Sequence, residues 1–229
     1  MRTTIISITF LLLSALTFPI GNALPKKSLS ISERLQNETE LLYSQMNLEG
    51  LIDIKAFKSA YSGYKKLNNN KNSLLTIIDF NLPSTEKRMY VLDLLKKEVL
   101  YVTHVAHGRN SGGNYATSFS NKNGSYQSSL GFYRTAETYN GGNGFSLRLD
   151  GLEKGINDLA RPRAVVIHGA AYANEDFIKS TGRLGRSFGC PALPQNLNKP
   201  IINTIKDGSL IFIYADKTDY FSHTQVITI

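Results

Sequence analysis

The stretch Leu67-Asn68-Asn69-Asn70-Lys71-Asn72-Ser73, followed at once by Leu74-Leu75-Thr76-Ile77-Ile78-Asp79-Phe80, divides the chain into two kinds of sequence. Its first half is polar and turn-forming, which breaks a helical pattern. Its second half is an apolar run of strand length. Upstream, Ile31, Leu35, Leu41, Leu42 and Met46 recur at helical intervals after capping-type serines. A second helix is predicted to start at Asp53, with Ile54, Phe57, Ala60, Tyr61 and Tyr64 on one face.

Downstream the period shortens. Leu74 to Phe80, Arg88 to Leu94, Val99 to His107, Gly131 to Thr138, Phe145 to Leu149, Ala164 to His168 and Ser209 to Tyr214 all read as strands bounded by turn residues. Only two short helices, near Asn174 to Lys179 and Gln195 to Lys206, interrupt them. That order predicts a mainly β domain with α elements, a barrel or sandwich, preceded by a small helical segment. The glycine- and asparagine-rich runs Gly108 to Asn114 and Tyr139 to Gly144 are expected as loops. Neither carries the Gly-Lys-Ser/Thr ending of a phosphate loop.

The first residues have the pattern of an export signal: Arg2 in a basic start, an apolar stretch from Ile5 to Phe18, then Gly21-Asn22-Ala23 as a cleavage site. The apolar stretch is shorter than the about 20 residues that span a bilayer. The expected organisation is a signal peptide over 1–23, a helical segment over 24–72, a β-rich domain over 73–215 and a C-terminal tail over 216–229. After signal removal a soluble monomer is expected in the periplasm, cell envelope or extracellular space. The net charge of +8 is scattered in lysine and arginine doublets, which suits an anionic polymer such as the envelope. Export and the lack of a binding motif argue against nucleic acid. The histidines and the single cysteine show no zinc-type spacing, so no metal and no cofactor are expected.

That cysteine, Cys190, lies in the run Gly182-Arg183-Leu184-Gly185-Arg186-Ser187-Phe188-Gly189-Cys190-Pro191. It has no disulfide partner within the chain. It is either a small buried hydrophobe or a nucleophile. As a nucleophile it needs cations or N–H groups that favour the thiolate, and Arg183 and Arg186 are the neighbours in sequence. Gly189 permits a positive φ, and the amides of Gly189 and Cys190 are candidates for an oxyanion hole. The base is sought among His104, His107, His168 and His223. His168 is the first choice, because it ends the apolar run Val165-Val166-Ile167 and a strand would hold it at a sheet edge. His104 and His107 are second choices, and His223 falls in a tail expected to be loose.

The pairing of His168-Gly169 with Ser187-Phe188-Gly189-Cys190 resembles the signature of the bacterial L,D-transpeptidase catalytic domain. The segments Phe119-Ser120-Asn121, Ser125 to Gly131 and Gly182 to Ala192 resemble its exported murein branch. The resemblance covers about Leu74 to Tyr214. It implies an L,D-transpeptidase-like β-barrel or sandwich acting on peptidoglycan stem peptides, cutting between a diamino acid at position three and D-alanine at position four. By matching positions, Cys190 is the nucleophile, His168 the base, and Gly169 the residue whose carbonyl holds the imidazole ring. Ser187, Phe188 and Gly189 would border the substrate. Many members have histidine before the Gly-Cys pair and arginine after it. Here those places hold Phe188 and the run Pro191-Ala192-Leu193, so Arg183 and Arg186 are expected to replace the missing cation.

Other readings share these residues. An L,D-carboxypeptidase differs only in passing the acyl group to water. A cysteine peptidase or a sortase would also use thiol, histidine and arginine, although here the arginines precede the cysteine. A cell-wall-binding module would keep the fold with an unreactive thiol.

Overall fold

A computed structural model describes residues 30–68 and 72–227. The expected signal peptide and the centre of the polar run at 69–71 lie outside the described residues. Helix α1, Ile31–Gln45, begins at a capping box: Ser30 Oγ accepts from the Glu33 amide at 3.2 Å, and the Ser30 amide donates to the Glu33 carboxylate at 2.7 Å. Helix α2, Ile54–Leu67, is capped by Asp53, which accepts from the amides of Lys55 and Ala56 at 2.8 and 3.1 Å.

The inward face of α1 differs from the expected stripe. Leu42, Tyr43 and Met46 are buried, whereas Leu41 is exposed because one residue along a helix turns by about 100°. Ile31 shares the buried face but sits in the first turn, before burial begins at Leu35, and is 86% exposed. Helix α2 presents Phe57, Ala60 and Tyr61 inward. Gly63 lets it touch the sheet directly, since a Cβ there would fall 2.1 Å from the Phe132 ring.

The sheet has eight strands: β1 Leu74–Asp79, β2 Met89–Asp93, β3 Glu98–Thr103, β4 Gly131–Gly141, β5 Gly144–Gly151, β6 Val166–Gly169, β7 Ala192–Leu193 and β8 Leu210–Tyr214. Their order across the sheet is β3-β2-β1-β8-β4-β5-β6-β7. Pairs β1–β8 and β6–β7 are parallel, and the rest are antiparallel. All of β2 and β8 and most of β1 are buried, which is why they read as nearly continuous apolar runs. Each fully buried leucine, isoleucine or phenylalanine there adds roughly 1.5–3 kcal/mol. The chain leaving β3 then turns back, and Ala106 exchanges backbone hydrogen bonds with Ala192 of β7 at 2.8 and 3.3 Å. This joins the two edges and makes the sheet barrel-like.

All seven expected strands are present, with two changes. The run Tyr139 to Gly144, expected as a loop, is the tip of the β4–β5 hairpin, with Gly142-Asn143 as its two-residue turn. The run Val99 to His107 ends as a strand at Thr103, and its last residues form the bridge to β7. Helices α3, Glu175–Thr181, and α4, Gln195–Ile205, fill the stretch between β6 and β8, and α4 packs on β5 and β6. The segment after β8 is not loose. It forms α5, Thr218–His223, whose buried Tyr220 donates to Glu153 at 3.0 Å, while Thr224 also bonds that carboxylate. Glu153 in turn accepts from the Phe132 amide at 2.7 Å.

Candidate active site

The turn that carries Cys190 is built by three segments far apart in sequence. Ser187 bonds the strand extension through its amide to His107 O at 2.9 Å, and its carbonyl accepts from the Arg109 amide at 2.8 Å. Ser187 Oγ accepts from the Gly189 amide at 3.0 Å and donates to Cys190 O at 2.6 Å. Ser128 Oγ accepts from the Gly108 amide at 3.0 Å and donates to Gly189 O at 3.1 Å. The serine-rich run from Ser125 to Ser129 therefore braces the cysteine turn from the side. Gly189 has φ +126°, and a Cβ there would lie 2.9 Å from Gln127 O. Only glycine fits both demands without strain.

His168 ends β6 beside this turn. It pairs with Ala192 in the parallel β6–β7 register, and its amide faces Pro191 O at 3.5 Å. The Cys190 sulfur reaches back to the start of the same strand, accepting from the Val166 amide at 3.5 Å and donating to Ala164 O at 3.7 Å. Ala164 itself adopts φ +54°. The two residues singled out by sequence thus lie on adjoining segments at one sheet edge. His168 Nδ1 is 3.0 Å from Gly169 O. A carbonyl only accepts, so Nδ1 carries the proton and Nε2 offers a lone pair.

Burial sets the charge state of both groups. It holds the His168 imidazole below the usual histidine range, with the Gly169 carbonyl partly opposing. It pushes the Cys190 thiol up, against the Val166 amide and the Arg163 guanidinium. The resting pair is a neutral thiol and a neutral imidazole. This corrects the expectation of a thiol ionised by neighbouring arginines.

The arginine that reaches Cys190 is also a different one. Arg183 donates to Leu184 O at 2.7 Å, and Arg186 donates to Gly112 O at 3.0 Å and Arg109 O at 3.3 Å. Both are spent on backbone carbonyls of loops. Arg163, just ahead of β6, is the guanidinium that favours the thiolate. It donates to Ser120 O at 2.8 Å, Ser129 Oγ at 2.6 Å and Gln127 O at 2.7 Å, so it also locks the bracing loop. Sequence reasoning missed it. The available signal was a cation adjoining the histidine strand, in Arg161-Pro162-Arg163-Ala164.

Of the two expected oxyanion donors, Gly189 is already bonded to Ser187 Oγ. The Cys190 amide has no partner among the described residues. Phe188, the residue in place of the more usual histidine, is 67% exposed. It lies 5.0 Å from the Tyr126 ring, and the Arg109 guanidinium lies 4.5 Å from the Tyr126 ring centre and 4.9 Å from that of Phe188. Arg109 and Tyr126 were also missed, since their contact with Phe188 depends on two loops meeting.

The other histidines do different work. His107 is buried with Arg88, whose Nη2 lies 2.8 Å from His107 Nδ1, and burial together with Arg88 pulls its pKa down to about 4. His104 Nε2 bonds Thr85 O at 3.0 Å. His223 is exposed on α5, where its Nδ1 donates to Asp219 O at 2.7 Å. Among the described residues, no three His, Cys, Asp or Glu side chains gather as metal ligands, and no helix is long and apolar enough to cross a membrane.

Residues 49–214 match the family model described as "L,D-transpeptidase catalytic domain". Similar solved structures include an L,D-transpeptidase from Mycobacterium smegmatis, at 14% identity and TM-score 0.39, covering 62% of this chain and 59% of that one. They also include the helical cell shape determining protein Pgp2 from Campylobacter jejuni, at 17% identity and TM-score 0.42, covering 64% and 48%. An L,D-transpeptidase from Mycobacterium tuberculosis H37Rv has 12% identity and TM-score 0.41, covering 62% and 58%. This chain therefore spans about half to three-fifths of the length of these proteins. No curated protein matches the chain.

Proposed function

The chain belongs to the L,D-transpeptidase catalytic domain family, and from that premise we propose that it is an exported cysteine acyltransferase acting on peptidoglycan stem tetrapeptides. Cys190 is the nucleophile and His168 the base. The observation that carries this reading is the hydrogen bond from His168 Nδ1 to Gly169 O, which leaves Nε2 unprotonated on the strand adjoining the Cys190 turn. A base oriented by a third group beside a nucleophile is the general arrangement for covalent catalysis.

In the first step, Cys190 Sγ bonds to the carbonyl carbon of the diamino acid while its proton passes to His168 Nε2. The C–N bond to D-alanine breaks, and His168 returns the proton to the leaving amine. The open Cys190 amide is the donor available to the carbonyl oxygen as it becomes negative. In the second step an amine attacks the thioester, its proton goes to His168, and the C–S bond breaks to restore the thiol. Water in place of the amine gives carboxypeptidase action. A neutral resting pair suits this scheme, because the proton moves as the nucleophile attacks rather than before.

Mass spectrometry of the protein after exposure to a stem tetrapeptide tests the reading. A tripeptidyl adduct on Cys190 and free D-alanine are expected, with neither in Cys190→Ala. His168→Gln should slow adduct formation by at least about a hundredfold, the usual reach of a general base. D-Alanine release by Cys190→Ala at the parent rate would rule the mechanism out. The neutral, half-buried thiol favours one second reading, a wall-binding module without catalysis. Peptide binding with no adduct and no D-alanine would select it.

A further inference from the structure

Four arginines lie on or beside the loop that carries the cysteine: Arg109 and Arg163 against the turn itself, and Arg183 and Arg186 ahead of it in the chain. Among the described residues none of them is paired with a carboxylate. Elsewhere on the surface arginines are paired, as Arg148 and Arg161 are with Glu137. Three of the four are spent on backbone or serine oxygens. Arg109 is different. Its guanidinium has no hydrogen-bond acceptor among the described residues and is held only by the faces of Tyr126 and Phe188.

This arrangement is maintained at a cost. Phe188 stays largely in water, and Tyr126 holds φ +53°, a conformation that costs a non-glycine residue about 1 kcal/mol or more. The backbone beneath is fixed, because the Arg109 amide bonds Ser187 O and a Cβ on Gly108 would lie 2.9 Å from Gly189 Cα. Two rings and a tied backbone remove most of the rotamer freedom that an exposed arginine otherwise keeps. The guanidinium covers the facing ring surfaces, so what the cluster offers a ligand is a fork of N–H donors and not an aromatic platform.

We infer that Arg109, clamped by Tyr126 and Phe188, is a preformed receptor for a carboxylate of the acyl-donor peptide at a point away from the bond being broken. The inference rests on the stem-peptide reading above. A planar fork matches a carboxylate in two parallel hydrogen bonds. The position follows from the turn: Phe188 lies two residues before Cys190, and Arg163 is the arginine whose charge reaches the sulfur. Arg109 is thus a binding residue, separate from the chemistry at the thiol.

The test is calorimetric titration of the Cys190→Ala protein, which binds without turnover, with and without Arg109→Gln. The probes are a stem tetrapeptide with all carboxylates free and the same peptide amidated at one carboxylate at a time. Arg109→Gln should weaken binding of the free peptide about tenfold, the size of one charge-assisted contact. One single amidation should cost about as much with Arg109 present and nothing with Gln. Arg109→Lys should recover part of the affinity, and Phe188→Leu, which removes one wall of the clamp, should lose part of the same selectivity. Equal affinities with Arg and Gln, equal amidation penalties in both, or no binding of the free peptide would overturn the receptor. The two proposals fail separately. D-Alanine release that is indifferent to Arg109 sinks the receptor alone, whereas Arg109-dependent binding without D-alanine release sinks the reaction alone.

Discussion

Cys190 and His168 are both neutral at rest for the same reason, burial, and this sets how the thiol responds to pH. The folded thiol ionises above its ordinary range, and Arg163 opposes that rise. Alkylation of Cys190 by iodoacetamide should therefore accelerate only above about pH 8.5. In Arg163→Met the inflection should move higher still. An inflection below neutrality would contradict the charge state described. At Gly189, alanine would meet both a φ of +126° and the Gln127 carbonyl. Gly189→Ala should lower stability by about 1–3 kcal/mol in denaturant titration and, on the proposed mechanism, slow acylation of the displaced thiol. At this scale Cys190 and His168 were legible as candidates from local pattern, a lone cysteine after glycine and a histidine at the end of an apolar run, whereas Gly169 came only from the family resemblance. Arg163 was not legible, because its relation to the sulfur is made through space, across the β6 edge.

At the scale of elements, periodicity and capping residues were enough for α1, α2 and seven strands. The remaining strand, β7 at Ala192–Leu193, is two residues long and has no period to read. It exists because His168 and Gly169 on one side and Ala106 on the other supply partners. The same limit hid α5, whose six residues are too few to show a stripe and are held by Tyr220 bonding Glu153. The seat of α2 on the sheet is set by the Gly63–Phe132 contact. Gly63→Ala should cost about 1–3 kcal/mol by overpacking, measured as a lower denaturant midpoint. Phe132→Leu in the same chain should give part of it back, whereas independent, additive losses would show that the two sites do not touch.

Across the whole molecule, a buried charge line runs beneath the site: Asp79, Arg88 and His107. Arg88 is fully buried and donates to Val105 O, Leu82 O and His107. Burial lowers its pKa to about 9, so it stays a cation at neutral pH. Asp79 is raised to about 6, chiefly by burial, from an ordinary 3.8. Its contribution to stability is full below about pH 4 and is lost as pH rises through 6. His107, lowered to about 4, acts the other way: its contribution is full above its ordinary value and is lost on acidification. The two oppose each other between about pH 4 and 6. Asp79→Asn removes one side of this balance, so relative to the parent it should gain up to about 3 kcal/mol between pH 4 and 6 and nothing further above pH 7. A constant difference across that range in urea unfolding would show that Asp79 titrates normally.

The sequence alone determined the helix-then-strand order and the β-rich class, and it singled out Cys190 and His168 as the candidate pair. These depend on local period and on residues adjacent in the chain. Tertiary structure decided which cation faces the thiol, which amide remains open, that the thiol rests neutral, and that Arg109 lies between two rings. Burial and the meeting of distant loops control all four. The segments at 107–111, 125–129, 163–168 and 187–190 come together only when the two sheet edges join at Ala106 and Ala192.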